Sequence, residues 1–386
     1  MTRISDTNVP YPLARKSWPN IDLEAVHKEP AHSLSGSALG LFLYDVCEEI
    51  KLEKVRAILG TQAIAEGLRH AAAEQILFER PPVIERILVS AFPSGEQPQV
   101  RVKYYDYGVI SVLFEFPFAG EWSDLIALSS RWMSGTDFET HAARIAGEQA
   151  NRVLPALVKP YSNRLSEDYF AFYLRDIAGK ATAAEVLSVY GREITQVVRG
   201  ETAPLAENEC HEVLQSAISY YTNDLVVVGW NAAFVYDPAG AETALQLLEY
   251  ANTQLLEFRY YDDLLTRELG TVYDSLARRQ FFRRWRLPRE ASRLQALVLD
   301  ITELTERADN AIKFLSDMFS ARLYRLASAR IGVPDYKNLV REKLRTAGEL
   351  YRFLVDEFHQ ARTFILESLV VVILMIELFY IFRGKM

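Results

Sequence analysis

Between residues 37 and 237 the apolar positions change their period repeatedly. Ala38–Val46 is almost continuously apolar and predicts a buried strand, after which Leu52–Leu59 takes up helical spacing. Val100–Glu115 is rich in β-branched and aromatic residues and is interrupted at Asp106-Tyr107-Gly108, which predicts a hairpin. The order then recurs. Tyr169–Ile177 is strand-like, Ala181–Val198 is helical, and Ile218–Tyr236 predicts a second hairpin turning at Thr222-Asn223-Asp224. Tyr104-Tyr105 and Val109–Val112 flank the first turn as Tyr220-Tyr221 and Leu225–Val228 flank the second. The expectation is a duplicated α/β unit forming one sandwich.

After Asp237-Pro238 the strand signals stop and three helical series follow. Leu248, Ala251, Leu255, Phe258, Asp262, Leu265, Leu269, Val272 and Leu276 alternate spacings of three and four. So do Leu294, Leu297, Ile301, Leu304, Ala308, Ala311, Leu315 and Met318, and then Val340, Leu344, Ala347, Tyr351, Leu354, Phe358, Ala361 and Ile365. Such spacing predicts antiparallel coiled-coil packing, with turns at Pro288 and Gly332-Val333-Pro334.

The third series runs into Phe364–Phe382, which is apolar apart from Glu367, Ser368, Glu377 and Tyr380. A helix of this length spans about 28 Å, so the segment predicts a C-terminal transmembrane helix. Arg362, Arg383 and Lys385 flank it as headgroup anchors would. Glu367 and Glu377 fall about 80° apart on the helical wheel, where both can face a neighbouring helix and favour association within the membrane. A buried core helix is the alternative. The fold class expected is therefore α+β: a duplicated α/β region with two β-hairpins, then a three-helix antiparallel coiled-coil stalk ending in one transmembrane helix. The divisions expected are a disordered lead-in over 1–36, the α/β domain over 37–237, the stalk over 238–362, the membrane helix over 363–383 and a tail over 384–386.

Composition narrows the function classes. The chain has 386 residues, 49% of them hydrophobic and 12% aromatic, which suits folded domains rather than disorder. Its net charge of −8 argues against wholesale nucleic-acid binding. Cys47 and Cys210 have no CxxC context and are expected to be buried thiols in a reducing compartment. The N-terminus lacks the apolar run of a secretory signal, so the expected topology places the large N-terminal part in the cytoplasm, at a bacterial inner membrane or facing a mitochondrial matrix. Where the charge is concentrated, at Phe281, Phe282, Arg283, Arg284, Trp285, Arg286 and Arg289, arginines alternate with aromatics. Three readings apply: a contact with anionic lipid or a partner, a solvated helix end, or an RNA-phosphate contact.

Catalytic signatures are missing. Gly179-Lys180-Ala181-Thr182 lacks the upstream glycine of a phosphate loop, and GxGxxG, GxSxG and HExxH are absent. The six histidines never pair at metal-ligand spacing, and Cys210-His211 is isolated. No cofactor, metal or catalytic residue is expected, and the protein is read as a non-enzyme. Tyr104, Tyr105, Tyr107, Tyr220 and Tyr221 are either strand packing or the lining of a pocket.

Three motifs carry a family resemblance. Tyr105-Asp106-Tyr107-Gly108-Val109 followed by Val112, Leu256-Glu257-Phe258-Arg259 leading to Leu264-Leu265, and Leu366-Glu367 followed by Ile376-Glu377 resemble the required-for-meiotic-nuclear-division family of membrane-anchored proteins. The sequence departs from it in a further long helix over about residues 289–331 and in Ser368, where that family usually has tryptophan. The resemblance implies a non-enzymatic, oligomeric membrane organiser. Two functions follow as expectations: a homo-oligomeric tail-anchored scaffold presenting its α/β domain to a protein partner, or a tethered sensor holding a small ligand between the two hairpins. A channel or transporter subunit is a third and poorer fit, with Glu367 and Glu377 as the charged groups of a single span.

Overall fold

A computed structural model describes residues 34–60, 63–64, 80–89, 97–135, 138–162, 164–177, 182–277, 287–311 and 318–383. Its centre is a nine-stranded sheet in the order β3-β4-β5-β6-β1-β8-β11-β10-β9. The strands are β1 (Leu34–Asp45), β3 (Ala63–Ile64), β4 (Val83–Ile87), β5 (Gln99–Tyr104), β6 (Val109–Gly120), β8 (Ser166–Ile177), β9 (Ala217–Ile218), β10 (Leu225–Val228) and β11 (Ala232–Tyr236). β2 (Cys47–Ile50) and β7 (Leu157–Pro160) form a separate antiparallel pair. β1, the most central strand, is flanked by two long antiparallel partners, with Phe42 opposite Val112 of β6 and Asp168 of β8.

Alternation along these strands sorts side chains into two cores. One face carries Phe42, Val102, Tyr104, Phe114, Phe172 and Phe234, covered by α1 (Leu52–Leu59), α2 (Trp122–Gly135), α3 (Phe138–Arg152), α4 (Ala183–Arg199) and α5 (Glu207–Leu214). Its aromatic rings interlock; Trp132 meets Phe138 edge-on at 5.0 Å between ring centres. α4 begins with a capping box, in which Thr182 accepts from the Glu185 amide while Glu185 accepts from the Thr182 amide. The opposite face carries Leu39, Leu41, Leu43, Leu113, Tyr169 and Val235. Against it lie α6 (Glu242–Ala277), α8 (Met318–Ile331) and α9 (Val333–Arg383). The protein is therefore a three-layer α/β/α sandwich extended at one end by helices.

Much of the predicted order is present. α1 matches the predicted helix, β5 and β6 form the first hairpin around Asp106–Gly108, and Gly332 (φ +93°) turns α8 into α9. α6, α7 (Leu287–Ala311) and α9 meet through Leu269, Leu294 and Ala347, one from each heptad series, whereas α8, in the stretch expected to continue the second helix, packs beneath the sheet. Three further expectations change. β1 already begins at Leu34, inside the expected lead-in, of which residues 1–33 lie outside the described residues. The duplication fails in strand direction, because β6 runs antiparallel to β1 whereas β11 runs parallel to β8. Nor is α6 a free stalk: its first half lies across β1 and β8, and only its later turns join α7 and α9.

The expected transmembrane helix is overturned. Among the described residues no helix is long and apolar enough to cross a membrane. α9 is a single 51-residue helix, and the described side chains of its last part, Arg362–Phe379, include the charges Arg362, Glu367 and Glu377. Each such charge costs about 2.5–3.5 kcal/mol at the centre of a bilayer. The expected tail anchor, the single membrane span and the localisation at a bacterial or mitochondrial inner membrane are all corrected on that finding.

Candidate functional site

The face of the sheet beneath α6 is the chemically distinctive region. α6 carries an apolar stripe, Leu248, Ala251, Leu255 and Phe258, and beside it a polar one, Glu249, Asn252, Thr253, Glu257 and Tyr261. The polar stripe has the spacing of one helix face, and every member is buried. A helix laid on a sheet hides a wider stripe than the narrow seam of a coiled coil, so these polar groups must find partners on the strands below.

At the N-terminal end they do. Lys103 on β5 and Ser111 on β6 sit opposite each other in register, both on the α6 face. The Lys103 ammonium donates to Glu249 Oε2 at 2.9 Å, and the Ser111 hydroxyl donates to Glu249 Oε1 at 2.6 Å. Burial works against the charge of Glu249, but the Lys103 ammonium and hydrogen bonds from Ser111 and Tyr105 together hold its carboxyl below the usual range. Next to this pair opens a cavity of about 260 Å³ between the sheet and the first turns of α6. Leu39, Leu41, Leu113, Ala171, Leu245 and Leu248 form its apolar walls. Its polar lining is Arg101, Lys103, Tyr169, Tyr173, Arg175, Glu242, Gln246 and Glu249. Arg101 reaches Glu115 at 3.0 Å, and Arg175 lies exposed beside Tyr173.

Two turns further along α6 the pattern reverses. Glu257 is 3% exposed and Asp45, at the end of β1, is 1% exposed. Tyr261 donates its hydroxyl to Glu257 Oε2, while Glu257 Oε1 and both Asp45 carboxylate oxygens have no hydrogen-bond partner. Burial raises both carboxyls, Asp45 well above its ordinary range and Glu257 to about 8. The charge of Glu257 adds to the shift of Asp45, and that of Asp106 to the shift of Glu257. Aromatic hydroxyls surround them. Tyr107 stacks on Tyr105 at 5.2 Å and bonds Thr253 at 2.9 Å, while Tyr161 stacks on Tyr260 at 4.4 Å. Burial also pushes the Cys47 thiol up to about 12, so it is a poor nucleophile. Gly108 (φ +100°) closes this end, because a Cβ there would sit 1.8 Å from the Cys47 carbonyl oxygen.

The residues singled out from sequence fall elsewhere. Phe281, Phe282, Arg283, Arg284, Trp285 and Arg286 lie outside the described residues. Arg289 belongs to α7, but its side chain is not among those described. Glu367 and Glu377 are exposed on α9. Of the tyrosines weighed as pocket lining, Tyr105 and Tyr107 enter the polar seam, Tyr104 faces the opposite core, and Tyr220 and Tyr221 are exposed. The cavity uses Tyr169 and Tyr173 instead. Neither spacing nor motif singles out Asp45, Lys103, Glu249 and Glu257 as a group. Their one trace in the sequence is the recurrence of glutamate at Glu249 and Glu257 beside the apolar stripe. Cys47 and Cys210 are buried free thiols, as expected. Among the described residues no group of three or more His, Cys, Asp or Glu is arranged to hold a metal.

Comparison with known proteins reaches the sheet and stops at the start of α6. Residues 35–242 match the family described as uncharacterized protein MJ0711, N-terminal domain. The chain belongs to this family. A member from Methanocaldococcus jannaschii, the uncharacterized protein MJ0711, is 19% identical over 186 residues, covering 48% of this chain and 57% of its own length. The chain thus spans little more than half of that relative. No solved structure matches. The MJ0711 match supplies no link to the meiotic-nuclear-division family, and the helices α7–α9 lie beyond it.

Proposed function

We propose that this MJ0711-family protein is a non-enzymatic receptor for a small anionic ligand, bound between the sheet and the first turns of α6. The observation that carries this reading is the 260 Å³ cavity, with leucines on its walls and Arg101 and Arg175 at its partly exposed rim. Such a site suits an anionic head group at Arg175, and at Arg101 in exchange for its Glu115 partner, with an apolar body over Leu39, Leu41 and Leu113. Lys103 is already neutralised by Glu249 and holds α6 against the cavity wall. Occupancy would therefore bear directly on the seat of α6, which continues into the bundle with α7 and α9. Thermal unfolding with octanoate and with inorganic phosphate tests the proposal. Octanoate is expected to raise Tm of the wild type and to leave Leu245→Trp, which fills the cavity, unmoved. Arg101→Gln is expected to weaken binding about tenfold. Equal shifts in wild type and Leu245→Trp would remove the reading.

A second reading, a self-associating organiser, rests on α9. From Phe364 to Phe379 its apolar side chains are 41–64% exposed on all sides of the helix, more than monomeric surfaces usually show. Sedimentation of the full chain should reveal a homo-oligomer that Ile373→Lys weakens, and a monomer at all concentrations would reject it.

A further inference from the structure

The Asp45–Glu257 pair takes no part in the cavity, and its chemistry is of a different kind. Two carboxyl groups face a closed interior with three of their four oxygens unbonded. An ionised carboxylate left so would carry a desolvation cost that folded proteins avoid by binding a counter-charge or by neutralising the group.

The groups that act on the pair can be taken element by element. β1 supplies Asp45 itself, and β2 supplies Cys47, with Glu48 acting on Tyr260 beside the pair. The β5–β6 turn brings Asp106 and Tyr107, and the segment after β7 brings Tyr161. α6 contributes Glu257, Tyr260 and Tyr261, with Arg267 acting on Tyr260 at the edge. Nearby cations are engaged elsewhere: Arg259 pairs with Glu167, and Arg80 lies within 4 Å of Glu49 and Asp106. Among the described residues, the groups acting on the pair are thus acids, phenols and a thiol.

We infer that the folded protein holds Asp45 and Glu257 as a protonated pair, and that these protons latch α6 onto the end of β1. At the other end of the same stripe a lysine does this work. Here a proton does it, so the seat of α6 depends on pH. Protonated carboxyls need no counter-charge and can donate within the ring of phenols. Deprotonation leaves a buried negative charge facing the Tyr161–Tyr260 stack, and the favoured response is for α6 to lift and admit water.

The sign follows from linkage. Both groups bind their protons more tightly folded than unfolded, so the stabilisation is full below the unfolded carboxyl range and is lost as pH rises towards about 8, the folded value for Glu257. In that window each retained proton shifts the unfolding equilibrium about tenfold per pH unit. Because the charge of one acid disfavours that of the other, their protons leave in two steps that belong to the pair rather than to either residue.

The test is unfolding of the full chain in denaturant from pH 5 to pH 9, for wild type, Asp45→Asn, Glu257→Gln and the double variant. Wild type should become steadily easier to unfold as pH rises. Each single variant should reduce that slope, and the double variant should remove the part due to this pair. Asp45→Asn should resemble wild type at pH 5 and surpass it at pH 8. Should a variant fail to fold, calorimetry of wild-type unfolding at pH 7, in buffers of different ionisation enthalpy, gives the protons released. One or more beyond ordinary side-chain titration is expected. The proposal is overturned by identical slopes in wild type and variants, or by unfolding without proton release. It is equally overturned by a wild type that magnesium or calcium stabilises and chelator destabilises at pH 8, which would assign the pair to a cation.

Discussion

Glu249 and Glu257 lie on one face of one helix, eight residues and about 12 Å apart, and both are buried against the same sheet. The first meets a lysine and a serine, and its charge is matched. The second meets an aspartate and a tyrosine, and among the described residues no cation bonds it. The far side of the sheet follows the first pattern, since buried Glu85 there takes Arg152 at 2.6 Å and Tyr104 at 3.3 Å. The difference teaches that burial alone does not decide the state of a carboxyl. A neighbouring ammonium keeps Glu249 ionised, whereas burial with no cation bonded among the described residues, reinforced by the charge of Asp106, leaves Glu257 dependent on solvent pH.

The comparison can be broken most forcefully at its matched end. Lys103→Met leaves Glu249 buried and unpaired, and should cost about 3–5 kcal/mol in chemical denaturation. The loss should be greatest above the carboxylate range, because acid neutralises the orphaned glutamate. Tyr161→Ala opens the cover over Asp45. It should cost about 2 kcal/mol from the lost ring packing and, by admitting water, reduce the pH slope seen in denaturant titrations. Thr182→Ala removes the α4 cap on the opposite face and should cost about 1 kcal/mol with no change in that slope. The smallest effect is expected from Lys103→Met combined with Glu249→Leu. Replacing a buried pair by apolar groups should return stability to within about 1 kcal/mol of wild type.

Part of this arrangement was legible in the sequence. Local signals served well wherever local chemistry decides: the Asp106–Gly108 turn, the helix at Leu52–Leu59 and the break at Gly332 are fixed by φ preferences and short-range periodicity. The 3.5-residue spacing from Leu248 onwards predicted helices correctly but not what they pack on. Leu265 sits in the core beneath the sheet and Val272 in the helical bundle, yet the two are one heptad apart and occupy equivalent positions in the series. Sheet polarity was likewise hidden, because two similar hairpins can join a central strand in opposite directions. The Phe364–Phe382 run shows the converse: its uncharged stretch predicts a span that outweighs Glu367 and Glu377, whereas no helix among the described residues is long and apolar enough to cross a membrane. The cavity and the acid pair bring together residues as far apart as Asp45 and Glu257, a distance over which neither spacing nor periodicity carries information.

The claim that one helix is seated by a lysine at one end and a proton at the other is tested most directly by two double variants measured side by side. Unfolding free energy from pH 5 to pH 8 should keep nearly the wild-type slope in Lys103→Met/Glu249→Leu, because the Glu249 carboxyl is held below the usual carboxylate range in the fold and is already ionised there. In Asp45→Asn/Glu257→Gln the slope should flatten by about 1.4 kcal/mol per pH unit for each proton removed. Equal slopes in the two would contradict the account.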